Sequence, residues 1–327
     1  MSMLICCNGC HTPIQLPPGT TAFRCIVCRS IGNTASPSSA PILYPPVPPT
    51  TSSNYHGQKK AVIIGILYKN QKGELRGCIN DAKTMKDMLI HRFNFNESSI
   101  FMLTDEETDP RKIPTKHNIL IAMSWLVNGC KSRDSLVFYF SGHGGRQPNN
   151  TGDEKDNYDE TLLPLDHGTQ GPIVDNDIND IVVKPLPTGV KLHAIIDACH
   201  SGTVLDLPYL CKMDRSGRYS SWEDHSPKSG TGKGTSGGEV ISISGCADHQ
   251  YSDDTNALSK EKMPAGAMTY AFIQAIQNGQ GATYGSILHA MRYTISTRYK
   301  PGAVGRKQDP QLTSGHHFNV YTEPFSL

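Results

Sequence analysis

The chain has 327 residues, which is enough for one substantial hydrophobic core and a small accessory module. Its 31 basic and 30 acidic residues nearly cancel, so the overall charge gives no reason to expect binding to nucleic acid or to an anionic membrane. No apolar stretch approaches the roughly 18 residues that a membrane span needs. The N-terminus lacks the basic segment and long apolar core of a secretory signal, so we expect a cytoplasmic protein, with the nucleus as a further location.

Two Cys-x-x-Cys pairs, Cys7/Cys10 and Cys25/Cys28, open the chain. Four thiolates at this spacing can surround one zinc ion as a tetrahedron, and a segment of about 30 residues buries too little apolar surface to fold without such a metal. The alternative is four free thiols. We predict a zinc module over residues 1–32. The five cysteines after this module are scattered, which is typical of a reducing compartment and not of a disulfide framework.

Residues 33–59 are rich in proline and serine and are predicted to form a linker, partly extended as polyproline II. Recognition of this stretch by a partner's domain is the alternative. The zinc module offers only Arg24 and Arg29 as cations, so a nucleic-acid ligand is not favoured. We expect the module and the linker to bind regulatory proteins.

Strand and helix patterns alternate from Lys60 onward, which predicts an α/β fold with a mostly parallel sheet covered on both faces. A Gly- and Ser-rich stretch at 212–238 interrupts the alternation and is predicted to be a flexible loop. Strands are predicted at 61–67, 99–103, 135–140, 192–196, 239–244 and 318–321. Helices are predicted at 81–93, 115–128 and 177–185, around Met268 and Phe272, and around Ile287 and Met291.

A histidine and a cysteine directly follow two of these apolar strands, in the motifs Ser-Gly-His143-Gly and Asp-Ala-Cys199-His-Ser-Gly. Chemistry in an open parallel sheet sits beyond the carboxyl ends of the strands, so the two side chains can meet as nucleophile and base. We interpret His200 as a structural neighbour, because adjacent residues point in opposite directions, and His193 as a packed core histidine. The backbone N–H groups of Gly144 and Cys199 are candidates for binding the oxyanion. The alternative is a structural role for both residues, with His143 as a turn histidine and Cys199 as a buried thiol.

Two carboxylates come close to the same strand ends. Asp81 follows the first strand and Asp197 ends the cysteine strand, so both can point into one cleft. Such a pocket favours a guanidinium or ammonium group and repels an acidic side chain. For Asp81, capping of a helix N-terminus is an equally good interpretation.

These motifs resemble those of the caspase-like (clan CD) cysteine peptidases, and specifically of plant type I metacaspases. The resemblance runs from Lys60 to the end and includes Leu-Arg-Gly-Cys-Ile-Asn-Asp-Ala, Asp-Asn-Tyr-Asp-Glu and Ile-Ser-Ile-Ser-Gly-Cys, and the cysteine pairs resemble the plant lesion-simulating-disease zinc finger. It implies a caspase-like (caspase–hemoglobinase) fold with a large-subunit region at 60–211 and a small-subunit region at 239–327. It also implies a Cys–His dyad, a specificity pocket that includes Cys78 and Ser141, and cleavage after Arg or Lys.

An acidic constellation surrounds the same motifs, with patches at 153–160 and 175–180 and Asp206 beyond the cysteine. Such runs are usually solvated loops, although calcium takes six to eight oxygens from flexible segments of this kind. The resemblance places calcium ligands at Asp159, Asp175, Asn176 and Asp206. Asn176 replaces a carboxylate of the commoner family pattern, and the lost charge should weaken calcium binding.

We therefore predict a calcium-dependent thiol protease with a Cys–His dyad, made as a zymogen and acting in programmed cell death. Basic residues in the loop 212–238, among them Lys212 and Lys233, are suitable sites for autocatalytic cleavage by an enzyme of this specificity. The alternative is a regulatory adaptor, in which the zinc finger and proline-rich linker bind partners and a catalytically weak peptidase-like domain serves as a scaffold.

Overall fold

The computed structural model of this chain describes residues 3–6, 13–16, 19–24, 31–33, 57–149, 157–199, 201–214, 217–226, 233–245, 254–255, 265–298 and 308–327. The chain divides into two compact units, Met1–Asn54 and Tyr55–Leu327, and the division falls inside the predicted linker. No helix in the described ranges combines the length and the apolar character that crossing a bilayer requires.

The first unit contains two small antiparallel hairpins. Strand β1 (Met3–Cys6) pairs with β2 (Pro13–Leu16), and β3 (Ala22–Arg24) pairs with β4 (Ile31–Asn33). One predicted pair of zinc ligands falls in sequence between β1 and β2, and the other falls between β3 and β4. The four cysteines themselves, Cys7, Cys10, Cys25 and Cys28, lie outside the described residues.

The second unit alternates strands with helices. In chain order its elements are β5 (Lys59–Gly65), α1 (Cys78–Phe93), β6 (Ile100–Thr104), α2 (Lys116–Val127), β7 (Ser135–Ser141), β8 (Gly144–Pro148), β9 (Tyr158–Leu162), α3 (His167–Gln170), β10 (Ile173–Val174), α4 (Asp175–Ile178) with a π-helical turn at Asn179–Val183, β11 (Lys191–Asp197), β12 (Tyr209–Met213), β13 (Tyr219–Asp224), β14 (Glu239–Ser244), β15 (Asp254–Thr255), β16 (Ala265–Gly266), α5 (Ala267–Gln277), α6 (Tyr284–Arg298) and β17 (Gln311–Ser314).

Eight of these strands form one sheet in the order β13-β12-β17-β14-β11-β7-β5-β6. The five strands from β14 to β6 are parallel, and the three at the other edge join them in antiparallel pairs. The predicted mostly parallel sheet is therefore confirmed. A second, antiparallel sheet in the order β10-β9-β8 continues from the end of β7.

The large sheet separates two apolar cores because alternate residues of its strands face opposite sides. On β5, Ala61 and Ile63 pack with α1, α5 and α6, whereas Val62 and Ile64 pack with α2 and the π-helical turn. Every residue of β7 is buried. Side chains that leave the carboxyl ends of β5, β7 and β11 therefore project from a rigid base.

Two expectations about the C-terminal region were wrong. Residues 318–321 do not form a strand, because Asn319 accepts hydrogen bonds from the backbone of Tyr321, Thr322 and Glu323 and so closes a turn. The segment 212–238 is not a loop throughout. Its first part continues β12 into a hairpin with β13, where the Trp222 indole donates to the Phe318 carbonyl and anchors the strand.

His193 lies in the core, as expected, with its Nε2 2.7 Å from the hydroxyl of Tyr284. Burial lowers the pKa of this imidazole from 6.5 to about 3, so the native protein keeps the ring neutral at pH values where the unfolded chain binds a proton.

Between pH 7 and pH 5, we expect protonation of His193 in the unfolded chain to lower the free energy of unfolding by about 2 kcal/mol. Urea titrations of wild type and His193→Gln at both pH values measure it, and an equal pH dependence in the two proteins would contradict the assignment.

Candidate active site

The predicted nucleophile and base lie at the ends of two neighbouring parallel strands. Asp197, the last residue of β11, is paired in register with Ser141, the last residue of β7. His143 and Cys199 each follow two residues later. A methyl group added at Gly144 would lie 2.0 Å from the Cys199 carbonyl oxygen, so the turn that carries His143 rests directly on the backbone of Cys199. Both side chains are half-buried.

The ring of His143 is held by the loop that follows β5. Its Nε2 lies 2.5 Å from the carbonyl oxygen of Gly73. A carbonyl oxygen only accepts hydrogen bonds, so Nε2 is the protonated nitrogen and Nδ1 is the free acceptor of the neutral ring. The group that orients the predicted base is here a backbone carbonyl. Sequence motifs could not reveal it, because any residue supplies this atom.

Tyr68 holds the backbone of His143 in place through its hydroxyl group. Its hydroxyl accepts from the His143 N–H at 2.9 Å and donates to the Leu163 carbonyl at 2.6 Å, while Leu163 N–H donates to the His143 carbonyl. Burial raises the pKa of this phenol well above its usual range, so the hydroxyl stays protonated. Tyr68 has a left-handed backbone with φ +54°, a strained conformation typical of functional sites. No sequence motif marks Tyr68, although its place just after β5, beside β7, was a usable signal.

The two pocket carboxylates converge on one point. Asp81 Oδ2 accepts from the Gly266 N–H at 2.7 Å, and Asp197 Oδ2 accepts from the backbone and hydroxyl of Thr269 at 2.9 and 2.8 Å. A methyl group at Gly266 would lie 2.3 Å from Asp197 Oδ2 and 3.0 Å from Asp81 Oδ2. Both carboxylates are buried. Together with burial, which is the main cause, their charges raise the pKa of Tyr139 far above 10.

The alternative role of Asp81 as a helix cap is excluded by the start of α1. This helix begins at Cys78, three residues earlier than predicted, and Gly77 occupies the N-cap position. The backbone N–H of Asp81 donates to the Gly77 carbonyl in the first turn. Cys78 and Ser141, the other predicted pocket residues, are buried in the same region, at the start of α1 and the end of β7.

Three of the four predicted calcium ligands, Asp159, Asp175 and Asp206, are buried. Asp175 Oδ2 accepts from the Glu160 N–H at 2.6 Å, which places it beside Asp159 on β9. Asp206 has a left-handed backbone, and its carboxylate pairs with the Lys233 ammonium at 2.9 Å. Buried carboxylates need compensating partners, so these three residues do not belong to solvated surface loops, which was the alternative interpretation. Asp177 and Asp180, by contrast, are exposed.

One network connects the segments that carry these residues. Oε1 of Glu160 lies 3.2 Å from Nε of Arg146. The Glu160 carboxylate also accepts a hydrogen bond from the Thr203 hydroxyl at 2.8 Å, and the Thr203 carbonyl accepts one from the Asp206 N–H. Within the described ranges, no group of three or more His, Cys, Asp and Glu side chains is arranged to hold a metal ion. The fourth residue of the predicted set, Asn176, is half-buried, and its backbone N–H donates to Oδ1 of Asp175.

Two family models match the chain. The model described as "Metacaspase, peptidase C14 domain" matches residues 59–208, and the model described as "LSD1 zinc finger" matches residues 7–31. The first spans β5 to β11 and the segment after Cys199. The second spans all four cysteines of the predicted zinc module.

Similar proteins carry the same description. Metacaspase-1 of Arabidopsis thaliana is 52% identical, with 99% of this chain and 96% of that protein aligned. Metacaspase-2 of the same plant is 45% identical over the full length of both chains, and Metacaspase-1 of Cryptococcus neoformans is 40% identical over 80% of this chain and 63% of its own. A crystal structure of a protein from Geobacter sulfurreducens superposes with a TM-score of 0.54 at 20% identity, covering 82% of this chain and 97% of that one, which bears on the fold alone.

Proposed function

Because this chain belongs to the metacaspase family and is a cysteine-type peptidase, we propose that it is a calcium-dependent endopeptidase that cleaves after arginine or lysine. The observation that carries the specificity is the convergence of the Asp81 and Asp197 carboxylates on Gly266. Two buried negative charges at one point attract a guanidinium or ammonium group, and they repel the carboxylate of an acidic residue.

Cys199 is the proposed nucleophile, and His143 is its base. The Nδ1 atom of His143 takes the proton of the Cys199 thiol, while the carbonyl of Gly73 holds the Nε2–H side of the ring. The thiolate then attacks the scissile carbonyl carbon, and the negative charge moves to the carbonyl oxygen, where backbone N–H groups near Gly144 and Cys199 stabilise it.

The tetrahedral intermediate collapses when the C–N bond breaks and His143 gives its proton to the departing amine. A thioester with Cys199 remains. Water attacks this thioester, His143 accepts the proton of that water, and the Cys199 sulfur leaves with the proton restored. Tyr68 keeps the backbone of His143 in place through both steps.

The proposed calcium ligands have the oxygen chemistry that a calcium ion needs. Asp159, Asp175, Asn176 and Asp206 supply only oxygen ligands, and the Lys233 ammonium already stands beside Asp206 as a cation. When bound, calcium would join β9, α4 and the segment after Cys199 by neutralising their charges. Asn176 supplies no charge, so we propose an affinity of roughly 10⁻⁵ to 10⁻³ M.

Calcium removal tests this proposal. We expect cleavage of a fluorogenic arginine peptide to fall at least about 100-fold when calcium is chelated, because the segment after Cys199 then loses its bridging ion. Activity should return with calcium but not with zinc or magnesium, which separates this site from the zinc module. Asp175→Ala should raise the calcium concentration required, whereas Asp177→Ala, exposed on the same helix, should not. Full activity in chelator would refute the dependence.

We also propose that Cys7, Cys10, Cys25 and Cys28 hold one structural zinc ion. Each cysteine pair falls in the connection of a two-stranded hairpin, where a zinc knuckle is usually placed. The proposed partners of this module and of the proline-rich linker are regulatory proteins.

The biological role that we propose is regulation of programmed cell death in the cytoplasm, with self-cleavage of the zymogen between residues 212 and 238. Basic residues of this segment differ in their surroundings. Arg218 is exposed, Lys212 lies in β12 in an ion pair with Glu223, and Lys233 is buried. Cleavage after Lys212 or Lys233 therefore requires a local change of structure.

A further inference from the structure

Lys233 is the only buried lysine or arginine in the part of the chain that the structure describes. Its side chain is 8% exposed, and its Nζ lies 2.9 Å from Oδ1 of Asp206, which is itself 3% exposed. A buried ammonium is costly unless an opposite charge compensates it. This ion pair therefore fixes where the segment around Lys233 lies.

The backbone of Lys233 is fastened to the same region. The buried Asn179 side chain donates from Nδ2 to the carbonyls of Leu205, at 2.8 Å, and of Lys233, at 3.2 Å. Leu205 precedes Asp206, and Asn179 begins the π-helical turn that continues the helix of Asp175. Lys233 is thus anchored to two of the elements that carry the proposed calcium ligands.

Calcium and the Lys233 ammonium oppose each other electrostatically at the Asp206 carboxylate. A calcium ion needs oxygen ligands at 2.3–2.6 Å, and a second cation at 2.9 Å from an oxygen of the same carboxylate would repel it. Ligation of calcium by Asp206 therefore weakens the ion pair with Lys233 and favours departure of the ammonium.

We propose that Lys233 is a tethered cation that competes with calcium for Asp206, so that calcium binding releases Lys233 and the segment that carries it. The inference rests on the proposed calcium dependence and adds a mechanism of regulation to it. In the calcium-free state the lysine is buried and protected from cleavage. Calcium binding expels it, and the ion that completes the active region also exposes a basic residue to the enzyme's own specificity.

Calorimetric titration of calcium into full-length Cys199→Ala protein, which cannot cleave itself, tests the competition. We expect Lys233→Met in this background to lower the calcium Kd by about tenfold, because an internal cation no longer opposes calcium at Asp206. Lys233→Arg keeps the charge and should retain weak binding. Lys184→Met is the matched control, since Lys184 forms an exposed ion pair with Asp180 nearby, and it should leave the Kd within about twofold.

A second measurement needs no change at Lys233. A brief pulse of an acetylating reagent, followed by mass spectrometry, reports the accessibility of each lysine amine in Cys199→Ala protein. We expect Lys233 to be labelled at least about five times faster with calcium than with chelator, while the exposed Lys184 is labelled equally in both.

The outcomes separate the two proposals. Calcium binding with the same Kd in Lys233→Met and its parent, and labelling of Lys233 that calcium does not change, would overturn the competition and leave calcium dependence intact. Absence of calcium binding in every variant would overturn both.

Discussion

Replacement of Cys199 by alanine is expected to lower kcat/KM for a fluorogenic arginine peptide by about 10³-fold or more, because nucleophile and base act as a unit. His143→Ala should lose a similar factor. Both side chains are half-buried beyond the ends of their strands and outside the apolar cores, so circular dichroism and thermal unfolding should remain close to wild type.

Cys130 provides the matched control for this substitution. It is also a partly exposed cysteine, but it lies between α2 and the amino end of β7, and burial raises the pKa of its thiol. Cys130→Ala should keep nearly full activity. Near-normal turnover in Cys199→Ala would show that another group is the nucleophile. Absence of cleavage by the wild-type protein, with calcium present, would instead favour the adaptor hypothesis for this domain.

Arginine peptides are expected to be cleaved about 10³-fold or more faster than otherwise identical aspartate peptides, and Asp197→Asn should lower kcat/KM for arginine about 10- to 100-fold. The amide removes one of two negative charges at the pocket while it can still accept a hydrogen bond from Thr269. The decisive quantity is the ratio of kcat/KM for arginine to that for an uncharged glutamine at the same position, which a folding defect would not change.

Asp134→Asn is the control for this prediction. Asp134 is another buried carboxylate that accepts backbone hydrogen bonds, from Gln58 and Lys131, but it precedes β7 at the amino end of the sheet. Its substitution should leave the ratio unaltered. Equal ratios in Asp197→Asn and wild type, or efficient cleavage after aspartate, would refute the acidic pocket.

The periodicity of the sequence predicted the central strands to within two residues, because β5, β7 and β11 are buried on both faces and read as continuous apolar runs. It also predicted which residues follow those strands, and therefore that the segments carrying His143 and Cys199 are neighbours. The start of α1 was placed late because the turn at Gly77 lacks a side-chain cap, the usual sign of a helix start.

Backbone partners and long-range packing were beyond the reach of sequence patterns. The Gly73 carbonyl acts through an atom that every residue carries, and the hydrogen bonds of Tyr68 join positions 75 and 95 residues away. Strand β13 is rich in polar residues, and Trp222 anchors it through a hydrogen bond to the Phe318 carbonyl and a contact with the Phe318 ring. The ion pair of Lys233 was hidden for the same reason, since a lysine in a Gly-rich stretch resembles a solvated residue.

The order of strands in the large sheet determines what a cut between β13 and β14 would do. β11, on one side of such a cut, pairs with β14 on the other side through six successive residues, and β12 pairs with β17. The two pieces would share one sheet and one core, as in a split protein reconstituted by fragment complementation. A cut in the chain would therefore leave the folded unit assembled. It would slow refolding, because the two fragments would have to meet in a bimolecular reaction.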